Sequence, residues 1–304
     1  MLINSILSLY IASTISPNIS QAYKFKSNQT TPQAIVKTAS SLSNILNSAP
    51  IPIKKSAYIK PIIEARSSIA IDEKSGAVLF EKNAHQRIPI ASITKMMTIL
   101  IILEENSLSD VVQVGITSAN TEGSTMYLRK DESITVKDLV YGAIIASAND
   151  AATALAEFNS GTTTKFVEKM NKKAKLLGLT NTHFGNPVGL DGSQNYSSAF
   201  DVAKLGKQLY QNPLIKEIAL IKNTEVQSVD GKYTHKLEST NELLDSYLNI
   251  KGLKTGFTQL AGECLVSIAE GENGNEILTV VLNSPRRFTE TKILTDWIFR
   301  AYNW

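Results

Sequence analysis

The sequence predicts a mixed α/β fold, in which one sheet is assembled from strands at both ends of the folded region and a helical segment is inserted between them. Two patterns predict this arrangement. Apolar and polar residues alternate near residue 70 and again over 261–283, as they do in strands. Between these two segments, apolar residues recur at helical spacing. With 304 residues, 43% of them hydrophobic, the chain is long enough to bury a large core.

The N-terminal part differs in composition from the rest of the chain. Residues 1–22 carry no charged side chain, and their apolar stretch is too short to span a membrane, so we predict a signal peptide or an N-terminal anchor. Residues 23–61 are predicted to form a disordered, polar and basic linker. Its lysines make N-terminal membrane association possible, although a merely solvated linker is the simpler interpretation. Residues 62–304 are predicted to form one folded domain.

Charge and cysteine content exclude several functional classes. Residues 1–60 contain six lysines and no acidic residue, which leaves 25 basic and 28 acidic residues, a net charge of −3, for the remainder. This balance argues against nucleic acid as a partner. Cys264 is the single cysteine, so the chain can form neither an internal disulfide nor a multi-cysteine zinc site. We predict it to be a small apolar residue in a strand.

The predicted elements follow one another from residue 68 onward. The first is a hairpin, Ser68–Asp72 and Ala77–Phe80. Ser92–Glu105 follows as a helix that is apolar nearly all round, as in a helix buried between layers. The later predicted elements are helices at Val136–Ala146, Asp150–Phe158 and Phe166–Leu177, strands at Ala261–Ala269 and Glu276–Asn283, and a closing helix at Arg287–Tyr302.

A serine and a lysine three residues apart form the first candidate site. The sequence lacks the common nucleophile, zinc and nucleotide motifs, and its three histidines are scattered, so lysine is the obvious base for a nucleophile. On a helix, Ser92 and Lys95 share a face. Burial in an apolar helix would lower the pKa of Lys95 toward that of a usable base. The alternative is a helix-capping serine with a solvated lysine.

Two further short motifs stand at informative places. Ser147-Ala148-Asn149 lies in a break between two apolar helices, although a helix-capping role is an equally simple interpretation. Lys254-Thr255-Gly256 is predicted to lie on a strand whose glycine lets a ligand backbone approach closely.

Taken in this order, the three motifs resemble the signature of penicillin-binding proteins and serine β-lactamases. The surrounding sequence is similar to the low-molecular-mass D-alanyl-D-alanine carboxypeptidases over residues 64–304. The resemblance implies a β-lactamase/transpeptidase-like fold, with a five-stranded antiparallel sheet flanked by helices and an all-helical subdomain. It also implies that no metal and no cofactor take part. The segments that carry the resemblance are Ile90–Thr98, Glu122–Leu128, Ala146–Ala152, Phe184–Leu190 and Lys254-Thr255-Gly256.

The resemblance also assigns catalytic roles. Ser92 would be the acylated nucleophile and Lys95 its base, and Ser147 would relay a proton to the leaving amine. The backbone N–H groups of Ser92 and Phe257 would form the oxyanion hole.

The same resemblance assigns substrate-binding roles. Asn149 would hold the substrate amide, Lys254 would set the local electric field, and Thr255 and Gly256 would line the strand on which the peptide docks. Arg287 would engage the terminal carboxylate, which suits a bidentate guanidinium. A solvated arginine at a helix start is the alternative for Arg287.

The implied function is that of an exported serine peptidase without a cofactor. It would remove the terminal D-Ala from peptidoglycan stem pentapeptides through an acyl-enzyme, and β-lactam antibiotics would inhibit it covalently. The implied location is the periplasm or cell-wall space of a bacterium, with the protein secreted or tethered at its N-terminus. Many relatives add a C-terminal β-rich domain, which we do not expect here.

Three alternatives remain beside this function. The shorter relatives include D,D-endopeptidases, which cut peptidoglycan crosslinks. A class A β-lactamase would need a Glu-x-x-x-Asn sequence between the second and third motifs, and none occurs over 150–253. A non-catalytic penicillin-binding sensor would not need the full set of reactive side chains that the sequence contains.

Overall fold

The computed structural model describes residues 50–192 and 194–304. The predicted signal peptide or anchor, and most of the predicted linker, lie outside these residues. Within the described ranges, no helix is both long and apolar enough to cross a membrane.

Thirteen strands and eight α-helices make up the described part of the chain. The strands are β1 Ile53–Lys54, β2 Ser67–Asp72, β3 Val78–Lys82, β4 Ile88–Pro89, β5 Val111–Gln113, β6 Ser133–Thr135, β7 Tyr196–Ser197, β8 Asn223–Gln227, β9 Thr234–Glu238, β10 Ile250–Thr258, β11 Gly262–Glu270, β12 Glu276–Ser284 and β13 Tyr302–Asn303. The helices are α1 Lys95–Glu105, α2 Ile116–Ala119, α3 Val136–Ile145, α4 Asn149–Ser160, α5 Thr163–Leu176, α6 Ala199–Tyr210, α7 Pro213–Ile218 and α8 Arg287–Ala301. Two 3-10 helices lie at Ala91–Thr94 and Glu242–Asp245.

The main sheet confirms the predicted five-stranded antiparallel architecture. Its strand order is β10-β11-β12-β2-β3, so strands from both ends of the folded region meet where β12 pairs with β2. Every pairing within this sheet is antiparallel. All six residues of β2 are buried, because helices cover both faces of the sheet. The β10 strand lies at one edge, where one side of its backbone is left without a neighbouring strand of this sheet.

Two apolar cores lie on opposite faces of this sheet. The larger one joins the sheet to the helical segment and includes the apolar residues of α1. As the sequence predicted, α1 is apolar nearly all round, and its residues from Lys95 to Ile102 are all buried. The smaller core lies between the sheet and α8. Cys264 is a buried residue of β11, which confirms its prediction as a small strand residue.

The structure differs from the sequence prediction at several elements. The predicted helix at Ser92 begins instead as a 3-10 turn, and α1 starts only at Lys95. Helices α6 and α7 and the antiparallel pair β8–β9 were not predicted. The β1 strand lies inside the segment predicted as linker and pairs with β13. Backbone pairing with β13 thus holds Ile53 and Lys54 against the C-terminal segment, and the domain boundary at 61/62 stays a prediction.

Candidate active site

The first two motif residues are in direct contact. Ser92 lies in the 3-10 turn Ala91–Thr94, and the Nζ of Lys95 donates a hydrogen bond to its Oγ at 2.8 Å. A second bond from this Nζ reaches the backbone O of Val188 at 3.0 Å. Ser92 makes no helix-capping bond, and Lys95 is fully buried. The alternative of a capping serine with a solvated lysine is therefore wrong.

The surroundings of Lys95 favour its neutral amine. Burial lowers the pKa of Lys95 well below its usual value, and the positive charge of Lys254 lowers it further, while Asp150 opposes this shift. A neutral amine in contact with a hydroxyl can accept the hydroxyl proton as the oxygen attacks a carbonyl carbon. The contact therefore has the geometry that a lysine base needs to activate a serine without a histidine.

A second serine and lysine form a similar contact in the same site. Ser147 lies between α3 and α4 with a left-handed backbone, φ 57°. The Nζ of Lys254, on β10, donates to the Oγ of Ser147 at 2.8 Å and to the backbone O of Thr255 at 3.0 Å. Burial, reinforced by the charge of Arg287, lowers the pKa of Lys254 to about 7. This lysine therefore changes charge near neutral pH.

Asn149 presents an unpaired acceptor beside this second pair. Its Nδ2 donates to the backbone O of Glu122 at 2.6 Å. Its Oδ1 is buried and has no hydrogen-bond partner among the described residues. A Cβ on Gly123 would lie 2.6 Å from the Nδ2, so only glycine lets the chain pass here. A buried acceptor without a partner is costly unless a ligand donates to it, and a substrate amide N–H can do so.

Glycines bring the β10 strand close to the Ser92 turn. A Cβ on Gly256 would lie 3.0 Å from the backbone N of Ser92. On the opposite side, a Cβ on Gly189, whose φ is +91°, would lie 1.9 Å from the backbone O of Ala91. The turn thus packs closely against two backbone segments: no side chain fits at position 189, and a Cβ at position 256 would be tight. Phe257, the predicted second oxyanion donor, follows Gly256 on the same strand, and its side chain is exposed.

Arg287 begins α8 and reaches back to the same strand. Its Nη1 donates to the backbone O of Gly256 at 2.8 Å, and its backbone N donates to the carboxylate of Glu263 at 2.9 Å. Its Nε is buried without a partner among the described residues. Arg287 is therefore not a solvated residue at a helix start, and part of its guanidinium is available to an anion.

Several residues of the site were not singled out from the sequence. The carboxylate of Asp150 accepts hydrogen bonds from the backbone N–H groups of Met126 and Leu128 at 3.0–3.1 Å, and so holds the loop that contacts Asn149. The hydroxyl of Thr240 contacts that of Thr255. The position of Asp150 directly after Asn149 was an available signal. Val188 lies in the segment Phe184–Leu190 that carries the resemblance, but its contact with Lys95 and the contact of the Thr240 hydroxyl were not predicted.

The β8–β9 pair is also tied to the loop that contacts Asn149. The buried ring of His235, on β9, has its Nδ1 2.8 Å from the backbone O of Met126 and its Nε2 2.6 Å from the carboxylate of Glu132. Glu132 is itself buried and accepts a bond from the backbone N of Arg129 at 3.0 Å. These contacts join chain segments more than 100 residues apart, and they fix the hairpin against the site.

Among the described residues, no group of three or more His, Cys, Asp or Glu side chains could hold a metal ion. Burial raises the pKa of the Cys264 thiol to about 12, so this group stays protonated at neutral pH.

Solved structures of other proteins have the same fold as this chain. The Streptomyces K15 DD-transpeptidase superposes with a TM-score of 0.75 at 30% sequence identity, covering 80% of this chain and 99% of that one. The D-alanyl-D-alanine carboxypeptidase DacD of Francisella tularensis superposes with a TM-score of 0.74 at 30% identity, covering 84% of this chain and 74% of that one.

The relatives found by sequence comparison carry two names, carboxypeptidase and endopeptidase. The D-alanyl-D-alanine carboxypeptidase DacF of Bacillus subtilis is 38% identical over 247 residues, which are 79% of this chain and 63% of DacF. The D-alanyl-D-alanine endopeptidase of Pseudomonas aeruginosa is 32% identical over 245 residues, which are 80% of this chain and 78% of that protein. The chain spans less than two thirds of the length of DacF.

The family to which the chain belongs is shown by a family model that matches most of the described residues. The family model of peptidase family S11, D-alanyl-D-alanine carboxypeptidase, matches residues 54–286. This range contains all three motifs and both serine and lysine pairs. The chain, in which two buried lysines each donate a hydrogen bond to a serine beside the edge strand of a five-stranded sheet, belongs to the D-alanyl-D-alanine carboxypeptidase family of serine peptidases.

Proposed function

We propose that the protein is a serine-type D-Ala-D-Ala carboxypeptidase, which removes the terminal D-Ala from peptidoglycan stem pentapeptides through an acyl-enzyme on Ser92. The observation that carries this proposal is the 2.8 Å contact between the Ser92 Oγ and the Nζ of the buried Lys95. Family membership and the carboxypeptidase name of DacF support the same reaction.

Acylation would use both serine and lysine pairs. The Lys95 amine takes the Ser92 proton as the Oγ bonds to the carbonyl carbon of the penultimate D-Ala, and the backbone N–H groups of Ser92 and Phe257 stabilise the oxyanion. Ser147, bonded to Lys254, then passes its proton to the nitrogen of the leaving D-Ala and takes up the proton that Lys95 holds. The C–N bond breaks, and free D-Ala departs.

Deacylation would reverse these roles with water in place of the amine. A water molecule gives a proton to the Lys95 amine as its oxygen bonds to the acyl carbon, and the bond to the Ser92 Oγ breaks while Lys95 returns this proton to the Ser92 oxygen. The shortened stem peptide then leaves. Neither half-reaction requires a metal or a cofactor.

The remaining polar groups suit the two ends of this substrate. The Oδ1 of Asn149 can accept the amide N–H of the stem peptide, because it is buried and otherwise without a partner among the described residues. The terminal carboxylate can be bound by Arg287 and by the Thr255 hydroxyl, beside the positive charge of Lys254. Gly256 keeps the strand free of side-chain bulk where the peptide docks.

This function has consequences for partners and location. The partner is a peptidoglycan stem peptide ending in D-Ala-D-Ala, and β-lactam antibiotics are covalent inhibitors whose amide mimics the scissile bond. Since peptidoglycan lies outside the cytoplasmic membrane, we propose that the protein acts in the periplasm or cell-wall space, either secreted or tethered through residues 1–22.

A D,D-endopeptidase that cleaves peptidoglycan crosslinks is the alternative within the same family, and one relative bears that name. Both reactions share the acyl-enzyme and differ only in the leaving group, which is a single D-Ala or a second stem peptide.

A fluorescent penicillin tests the nucleophile. We expect covalent labelling of the full-length wild type, no labelling of Ser92→Ala, and normal labelling of the control Ser107→Ala, whose serine lies at the end of α1 away from the motifs. Release of D-Ala from a pentapeptide, measured in parallel, tests the reaction. Labelling of Ser92→Ala would overturn the assignment of the nucleophile.

A further inference from the structure

A cleft of about 890 Å³ lies at the end of the main sheet that is remote from the active site, and we call it the distal cleft. Its walls include the loop before β10, the turn between β11 and β12, the end of α8 and the segment 302–304. Asn249, which lines it, precedes Gly256 by seven residues, which span at most about 23 Å in a strand. Arg300, also in its wall, follows Arg287 by thirteen residues, about 20 Å along a helix. The distal cleft is therefore separate from the site around Ser92.

Aromatic side chains line much of the distal cleft. The ring centroids of Phe299 and Tyr302 lie 5.9 Å and 6.3 Å from that of Trp304. The indole Nε1 of Trp304 donates to the Oδ1 of Asp72 at 2.7 Å, which fixes the ring, yet 38% of Trp304 remains exposed. Tyr247, in the loop before β10, is 77% exposed. These rings offer apolar faces and polar tips to a ligand that has both kinds of surface.

The charged side chains around the distal cleft balance one another. The carboxylate of Glu270 lies 2.6 Å from the Nζ of Lys251, and that of Asp296 lies 2.9 Å from the Nη2 of Arg300. Of the two other charged side chains that line the cleft, one is acidic and one is basic. The distal cleft therefore has no net charge that would favour an ionic ligand over a neutral one.

Polar groups that are free to bind a ligand surround these aromatic rings. The side chains of Tyr247, Glu272 and Asn273 line the distal cleft and form no hydrogen bond or ion pair with any described residue. A Cβ on Gly271 would lie 2.9 Å from the ring of Phe299, so a side chain at position 271 would have to displace this ring. The glycine thus leaves room in the cleft between the ring and the polar side chains of the β11–β12 turn.

We propose that the distal cleft binds the uncharged sugar rings of the glycan strands in peptidoglycan. The C–H groups of a sugar ring form apolar faces that pack on aromatic rings, and its hydroxyl and N-acetyl groups bond to hydroxyl, amide and carboxylate side chains. A volume of about 890 Å³ lies within the roughly 300–1,000 Å³ of small-molecule sites. The inference rests on the proposed function only in taking peptidoglycan as the substrate. A free pentapeptide carries no sugar and occupies the Ser92 site alone, whereas the polymer occupies both sites.

Binding of a soluble oligosaccharide tests the distal cleft directly. The probe is a neutral tetramer of β-1,4-linked N-acetylglucosamine, titrated into the full-length protein by calorimetry. The variant Tyr247→Ala/Asn273→Ala, which removes two exposed side chains, should raise the Kd of the wild type about tenfold or more. The control Phe158→Ala, which removes an exposed ring of α4, should keep the wild-type Kd. The cationic tetramer without acetyl groups should bind no more tightly than the neutral one.

Release of D-Ala from two substrates gives a second readout. The double variant should lose about tenfold in kcat/KM toward glycan strands that carry pentapeptide stems, and less than about twofold toward the free pentapeptide. Three results would overturn the proposal: no binding of the neutral tetramer by the wild type, equal binding by the double variant, or tighter binding of the cationic tetramer. Equal losses toward both substrates would do so as well. A wild type that binds the neutral tetramer but takes no penicillin label and releases no D-Ala would instead refute the proposed function alone.

Discussion

The two buried lysines of the site make the same contact in different surroundings. Lys95 and Lys254 each donate to a serine hydroxyl at 2.8 Å, and burial lowers the pKa of both. Lys95 belongs to a helix and contacts a serine three residues away. Lys254 belongs to an edge strand and contacts a serine 107 residues away. One pair is thus built by local helical geometry, and the other exists only because the sheet and the helical segment pack together.

The charges around the two lysines also differ. Next to burial, the charge of Lys254 is the main cause of the lowered pKa of Lys95, and Asp150 opposes it. For Lys254 the second cause is Arg287, with no carboxylate acting against it. A charged Lys254 thus helps to keep the Lys95 amine neutral, and the amine must be neutral to accept a proton as a base. The positive charges of Lys254 and Arg287 together suit a site for a carboxylate.

The largest expected effect comes from replacing the base. Lys95→Arg keeps the positive charge, but a guanidinium cannot give up its proton at working pH. We expect the rate of acylation by penicillin to fall by about 10²–10⁴-fold, the usual range for a lost general base. The measurement is the second-order rate of labelling of Ser92.

Lys254→Arg is the matched variant for this comparison. This variant keeps a positive charge beside Lys95, so its rate of acylation should fall much less than that of Lys95→Arg. The larger guanidinium must, however, fit the buried position of Lys254. If both arginine variants lost acylation equally, the two lysines would not differ in role. If Lys95→Arg kept the wild-type rate, the base would have to be sought elsewhere.

The next effect concerns the carboxylate of the substrate. Arg287→Ala should remove most of the preference for a peptide with a free C-terminal acid over its amide, a loss of roughly ten- to a hundredfold in kcat/KM for the acid. Penicillin labelling should persist at a reduced rate. A variant with an unchanged preference for the acid would show that Thr255 and Lys254 bind the carboxylate without Arg287.

The sequence predicted the contact of Lys95 with its serine but not that of Lys254, for a physical reason. The contact between Ser92 and Lys95 follows from their spacing on a helix, and the burial of Lys95 follows from the apolar residues around it. No local rule pairs Ser147 with Lys254, so their separate roles were taken from the resemblance to a family and their contact was not predicted. The structure alone revealed that Asp150 and His235 hold the loop near Asn149, because these contacts join distant segments.

The fold shows the same division between local and distant information. The strands and helices that were predicted from their apolar patterns lie within a few residues of the predicted bounds, although α6, which also has an apolar face, was missed. The β8–β9 hairpin was missed although Asp230-Gly231 is a common turn sequence, because its strands, NTEVQ and THKLE, carry few apolar residues and are largely exposed. The β1 strand was missed because only its pairing with the C-terminal β13 makes it a strand.

A smaller effect is expected in the pH dependence of activity. Since the pKa of Lys254 is about 7, its charge is present below this pH and is lost as the pH rises. The kcat/KM for a substrate with a free carboxylate should therefore decline above about pH 7, by about tenfold. In Lys254→Arg the decline should be absent, because the guanidinium stays charged. A decline of the same size in both proteins would assign it to another group.

The smallest expected effect is on the pH dependence of the free energy of unfolding. Replacing either buried lysine should change it, and replacing an exposed lysine should not. A lysine whose pKa is lower in the folded than in the unfolded state binds fewer protons when folded, so the free energy of unfolding rises with pH between the two values. For Lys254 this window runs from about 7, its folded pKa, to 10.5, its usual value. A group that is fully protonated in the unfolded state and fully neutral in the folded state contributes a slope of about 1.4 kcal/mol per pH unit.

Urea unfolding at several pH values between 7.5 and 9.5 tests this expectation. The free energy of unfolding should rise less steeply with pH for Lys254→Met than for the wild type, and also less steeply for Lys95→Met. Lys165→Met, which replaces an exposed lysine, should keep the wild-type slope, and an unchanged slope in both buried variants would mean that neither lysine is neutral in the folded protein.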